Sequence, residues 1–186
     1  MLKKGDLSTA FKLYWDDAQR CLEVKAYWCL LHVTVCLPDV CAALESRNGK
    51  ADPEKYKKWS DRYFKQDALT GLERCEIRCK VLYEGRARAS RKGRYTRFAF
   101  GLPDTFCRVD HLRVDGRTLH IDVAELYRET RQAMREWIVE LESNPTSAKA
   151  NYAAKNLRFL VHVSNQSVPL ATSGPIRAFT LINKTN

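Results

Sequence analysis

The segment GLERCEIRCKVLYEGRAR, residues 71–88, decides how the rest of the chain is read. It runs between two helix breakers, Gly71 and Gly85. Leu72, Cys75, Ile77, Cys79, Val81 and Leu82 recur close to helical spacing, enough to bury one face. Arg74 and Arg78 stand four residues apart, so they are neighbours on a helix surface. Tyr83, Glu84, Arg86 and Arg88 crowd the C-terminal end. Guanidinium groups on a buried helix are costly unless paired or turned to a cleft. Two readings follow. Either Arg74 and Arg78 face an anion, or they pair with Glu73, Glu76 or acids of a neighbouring helix.

Upstream, Phe11, Tyr14, Trp15, Ala18, Cys21 and Leu22 predict an amphipathic helix, with Asp6, Ser8 and Thr9 offering its start. The stretch from Ala26 to Ser46 is apolar nearly all round and predicts a central buried helix; Val33-Thr34-Val35 also suits a strand. Pro38 either kinks this helix or ends it and starts another, with Asp39 as a cap. The longest apolar stretch, Ala26 to Leu37, is broken by His32 and Thr34, stops at Pro38 and is too short to span a bilayer. Asp52-Pro53-Glu54 is a helix start, and Tyr56, Trp59, Tyr63 and Phe64 form the next apolar stripe.

Downstream, the run Arg86, Arg88, Arg91, Lys92, Arg94, Arg97 predicts an exposed basic loop. Residues 95–100 alternate like a strand, and residues 111–121 predict a hairpin on the Asp115-Gly116 turn. Asp122, with Glu125 three residues on, caps a helix whose stripe runs from Val123 to Leu141. Ser147 to Asn156 predicts a short helix, residues 157–163 either continue it or form a strand, and the tail segment IRAFTLIN reads as a final strand or a loosely packed end. The fold class expected is mainly α: a helical bundle with a small β-hairpin insertion. It forms one domain over residues 1–186, with the insertion at 92–121 and a C-terminal extension at 157–186.

The 186 residues carry a net charge of +10, which favours phosphate-rich partners. Seven cysteines without a C-x-x-C pair predict reduced, buried thiols in a cytoplasmic protein. No histidine or cysteine cluster completes a zinc set, and no P-loop, G-x-G-x-x-G, H-E-x-x-H or G-x-S-x-G occurs, so no metal and no cofactor are expected. His32 lies on the apolar helix and reads as a core residue; His111 and His120 read as structural residues of the hairpin.

The pattern R-C-x-x-L-Y-E-G at residues 78–85 resembles the signature helix of the HEPN superfamily. The order before it is similar too: a long apolar helix reaching Pro38-Asp39, then a helix ending in Trp59-x-x-x-Tyr63-Phe64. The likeness covers roughly Leu13 to Gly85 and the helix from Asp122 to Leu141. It implies an all-α bundle that often dimerises, and a metal-independent endoribonuclease or an inactive binding form of one, in a prokaryotic or phage defence or toxin–antitoxin system. It places Arg78 on the arginine that steadies the scissile phosphate and Tyr83 on the histidine that moves protons. Arg74, Glu84, Arg86 and Arg88 would support RNA binding. RNA, a second copy of the chain, and an antitoxin or regulatory protein are the partners implied; a membrane is not. A phenol titrates near ~10 against ~6.5 for imidazole, so Tyr83 is a poor proton acceptor. Three readings stay open: a degenerate binding form, an inactivated variant of an active enzyme, or a different alignment. The alternative function is a non-catalytic, dimeric adaptor. Cysteine chemistry is disfavoured because no thiol has a nearby histidine or helix start.

Overall fold

The computed structural model describes residues 1–65, 69–89, 93–103 and 110–160. Arg91, Lys92, Asp104, Cys107, His162 and the IRAFTLIN segment of the expectations above lie outside these residues. The described chain is mainly helical with a small three-stranded sheet: α1 (Asp6–Glu23), α2 (Tyr27–Leu44), α3 (Pro53–Tyr63), α4 (Gly71–Cys79), a π-helical turn (Lys80–Glu84), β1 (Arg97–Gly101), β2 (Val114–Asp115), β3 (Thr118–Asp122), α5 (Val123–Ser143) and α6 (Ala148–Leu157).

Capping chemistry sets most of these bounds. Asp52 accepts from the Lys55 amide ahead of Pro53, Asp122 accepts from the amides of Ala124 and Glu125, and Ser147 accepts from that of Ala150. Glu125 does not reach back as in a capping box; its carboxylate pairs with Arg128. A full capping box closes α4 instead, between Thr70 and Glu73.

α2 is the central helix and packs against α1, α3, α4, α5 and α6. It runs unbroken through Pro38, so Val33 to Val35 are helical and Asp39 is an interior residue and not a cap. Proline removes one backbone bond and crowds the preceding turn. In that turn the buried Tyr56 hydroxyl reaches the Val35 carbonyl at 3.5 Å. At 18 residues and a mean hydropathy of 1.5, α2 is long and apolar enough to cross a membrane, which corrects the shorter apolar run read from the sequence. Half of it is buried inside the fold, as a central bundle helix requires.

Two apolar clusters share α2 and α5. One joins Phe11, Leu37, Trp59, Met134 and Trp137. The other joins Leu30, Val35, Ile77, Phe98, Leu119 and Tyr127. The sheet belongs to the second cluster, so it is a wall of the core and not an appended hairpin. Its order is β1-β3-β2, with β1 parallel to β3 and β2 antiparallel to it. Val114 pairs with Leu119 and Asp115 with Thr118, so the turn residues are Gly116 and Arg117, one step on from the Asp-Gly expected. Gly116 takes φ +58 at the first turn position, where two-residue hairpins favour glycine. Pairing also begins earlier than residue 92: Arg88 bridges Arg97, and the Phe98 amide donates to the Ala87 carbonyl.

Gly71 is required by close approach. A Cβ there would lie 2.3 Å from the Lys57 carbonyl and 2.8 Å from Asp61 Oδ1, the groups on which the start of α4 rests. Gly71→Ala is expected to lower stability by about 1–3 kcal/mol in urea unfolding followed by far-UV circular dichroism. Leu72→Ala, on a side chain that is 60% exposed, should change it by less than about 0.5 kcal/mol.

Candidate functional site

The site is built where α4 changes its period. In an α-helix, residues five apart point about 140° away from each other. From Lys80 the backbone winds as a π-helix, whose wider turn brings such residues into line. The Arg78 Nη2 donates to the Tyr83 hydroxyl at 3.1 Å. Gly85 then stops the helix at φ +57, with its amide and that of Arg86 both donating to the Lys80 carbonyl.

Arg78 does not stand free in a groove. Its Nε donates to the Asp39 carboxylate of α2, and its guanidinium lies 5.5 Å from the Tyr56 ring centre and 5.4 Å from that of Tyr83. The Arg78 side chain is 12% exposed and that of Asp39 16%. Burial opposes the charge on Arg78, but the Asp39 charge and hydrogen bond outweigh it and raise the guanidinium. At Asp39 burial pushes the carboxyl up more strongly than Arg78 pulls it down. Its second oxygen, Oδ1, is buried and has no hydrogen bond among the described residues. Tyr83 projects from this pair and is 70% exposed.

Arg74 sits elsewhere. It is 3% exposed, 3.3 Å from Glu129 of α5, with its guanidinium 3.7 Å above the Phe64 ring. Burial lowers this guanidinium and Glu129 counters it. The same Glu129 accepts from His111 Nε2 at 2.8 Å, while His111 Nδ1 accepts from the Asp122 amide at 3.1 Å. A backbone N–H can only donate, so the ring is the neutral tautomer with its proton on Nε2. Both arginines thus pair with acids of neighbouring helices, and neither pairs with Glu73 or Glu76. Glu73 instead takes a bidentate contact from Arg94, at 2.8 and 2.7 Å, which removes Arg94 from the basic loop expected at 86–97.

Glu84 pairs with Lys80 at 2.7 Å and lies 3.9 Å from Arg86. Arg86 is 73% exposed and leads to Arg88. Directly opposed strand residues share one face, so the pairings set Arg88, Arg97, Thr118 and Asp115 in a row across the outer side of the sheet. Buried Phe98 and Leu119 occupy the inner side. His120 lies one row on, and its amide donates to the Arg113 carbonyl. Arg88, Arg97 and Arg113 are exposed. Like charges directly opposed in a ladder are destabilising, so the Arg88–Arg97 pair costs the fold stability.

The sequence reading missed Asp39 as the partner of Arg78 and missed Arg113; Arg97, read as part of an exposed basic loop, opens β1. One signal pointed to the first: Asp39 is the lone acid in an apolar helix, and such a carboxylate needs a cation. Among the described residues no group of three or more metal-ligating side chains gathers. His32 hydrogen-bonds the Trp28 carbonyl within its own helix and is half-buried. Burial raises the Cys75, Cys41 and Cys36 thiols, away from the thiolate form that acts as a nucleophile. No family model, no curated protein and no solved structure matches this chain.

Asp39→Ala should lower stability by about 3 kcal/mol in chemical unfolding, since it leaves the Arg78 charge enclosed without its carboxylate. The double variant Asp39→Leu/Arg78→Met should be more stable than either single change, a non-additivity that marks the pair as coupled.

Proposed function

We propose that this chain is an HEPN-like, RNA-associated domain that binds single-stranded RNA without cleaving it. The observation that carries the reading is the directly opposed, exposed pair Arg88 and Arg97 on the outer sheet face, continuous in sequence with exposed Tyr83 and Arg86. Guanidinium groups suit phosphate oxygens, and an exposed aromatic ring offers a stacking platform to any base. The helical bundle and the meeting of Arg78 with Tyr83 are consistent with the family's signature helix. Arg78 takes a positioning role in this reading. It holds the phenol in place, while its own charge is engaged by Asp39. The absence of an imidazole beside it among the described residues is the reason to set cleavage aside. Unpaired thiols at all six described cysteines support a reducing, cytoplasmic setting.

A second reading, a dimeric adaptor, is favoured by one feature. Trp28 and Leu102 are exposed beside a cleft of about 340 Å³ that Tyr27, Leu31 and Phe100 line. Size-exclusion chromatography with light scattering separates a monomer from a dimer that buries this face.

Fluorescence anisotropy with a labelled single-stranded RNA tests the principal reading. Arg88→Glu/Arg97→Glu should weaken binding at least tenfold and flatten its salt dependence, because each phosphate contact contributes about 0.7 to the slope for single strands. Unchanged affinity overturns it. Arg78→Ala reports on stability and not on contact with RNA, because it strands Asp39. Tyr83→His places an imidazole beside Arg78. RNA cleavage by that variant in EDTA would reveal a ribonuclease framework lacking one group; no cleavage leaves the binding role.

A further inference from the structure

A second cleft lies on the far side of the bundle, where the C-terminal end of α2 meets the C-terminal end of α6. It encloses about 640 Å³, within the range of small-molecule sites. Its walls are Tyr14 of α1, Val40 and Leu44 of α2, and Phe159 beyond α6. Arg47, Lys50, Lys155 and Arg158 also line it, and no acid does. Among the described residues no carboxylate is paired with any of these four cations. Arg158 rests 4.6 Å above the Phe159 ring, which fixes it at the rim. Four like charges around an apolar floor repel one another, and no carboxylate among the described residues offsets them by an ion pair.

We infer that this cleft binds a free amphipathic anion: a carboxylate on an unbranched hydrocarbon chain, with the chain along the apolar walls and the head group among the cations. The helix end itself would ordinarily oppose an anion, because the carbonyls there carry partial negative charge. At the end of α2, Asn156 occupies carbonyls that would otherwise face the anion. Its Nδ2 donates to the carbonyls of Leu44 at 3.0 Å and Ser46 at 2.7 Å, and reaches that of Ala43 at 3.5 Å. A nucleotide fits less well, because two side-chain acceptors that would read a base edge, Asn48 Oδ1 and Asn156 Oδ1, are committed or enclosed. Asn48 Oδ1 already accepts from Ser46 Oγ, the Lys50 amide and Lys55 Nζ. Asn156 is buried, and its Oδ1 is so close to Gly49 that a Cβ there would lie 2.9 Å away.

Isothermal titration of the full chain with dodecanoate, below its critical micelle concentration, tests the site. The expected result is saturable one-to-one binding, at least tenfold tighter than that of dodecanol or ATP. Arg47→Glu/Lys155→Glu should weaken it at least tenfold, with the melting temperature and the RNA affinity unchanged; both side chains are exposed, so the fold tolerates the change. Four results overturn the proposal: no saturable binding, equal binding of dodecanol, ATP binding as tightly as dodecanoate, or binding only to phosphatidylserine vesicles. Because the cleft and the arginine row share no residue, failure here leaves the RNA reading standing, and the reverse holds too.

Discussion

One carboxylate, Glu129, holds together three parts of the molecule. It faces Arg74 from α4 and His111 from the turn ahead of β2, and it stands on α5, which spans both apolar clusters. A buried guanidinium is tolerable only with a partner of this kind. Phe64 covers its other side, so the end of α3 is drawn into the same contact. Once Arg74 is engaged, α4 has a fixed rotation about its axis. Arg78, one helical turn on, must then meet α2 at Asp39, and the direction in which Tyr83 leaves the bundle is set.

The elements that were legible in the sequence are those with local causes. Asp52-Pro53, Asp122 and Ser147 mark helix starts because a side-chain oxygen there captures an amide two or three residues on, and that chemistry is written in adjacent letters. The unbroken α2 was not legible at Pro38, because tertiary packing around an apolar helix outweighs one lost hydrogen bond. The parallel β1–β3 pair was not legible either; it joins residues about twenty apart in sequence, and its specification is the shared inner face of Phe98, Leu119 and Ile121. The π-helical turn spans only five residues, too few to show a period of their own.

The candidate site divides the same way. Arg78 and Tyr83 were found together because their spacing and setting follow a known pattern. Asp39 was not connected to them, since nothing local ties residue 39 to residue 78. The basic run at 86–97 was visible as charge but not as geometry. Pairing separates it into Arg94, which is spent on Glu73, and Arg88 with Arg97, which are aligned with each other and left to solvent. Net charge therefore says less than its placement: many of the cations on the helices meet acids a turn away, and among the described residues Arg88, Arg97 and the cations around the α2–α6 cleft form no ion pair.

The π-helical turn carries one residue more than an α-helix would use over the same rise. A surplus residue turns everything after it by about 100° while leaving everything before it packed as it was. That rotation lifts the phenol over the guanidinium, and it also aims the chain from Gly85 onto the edge of β1. The two are coupled: a backbone without the extra residue would lose the arginine–tyrosine contact and the bridge from Arg88 to Arg97 together.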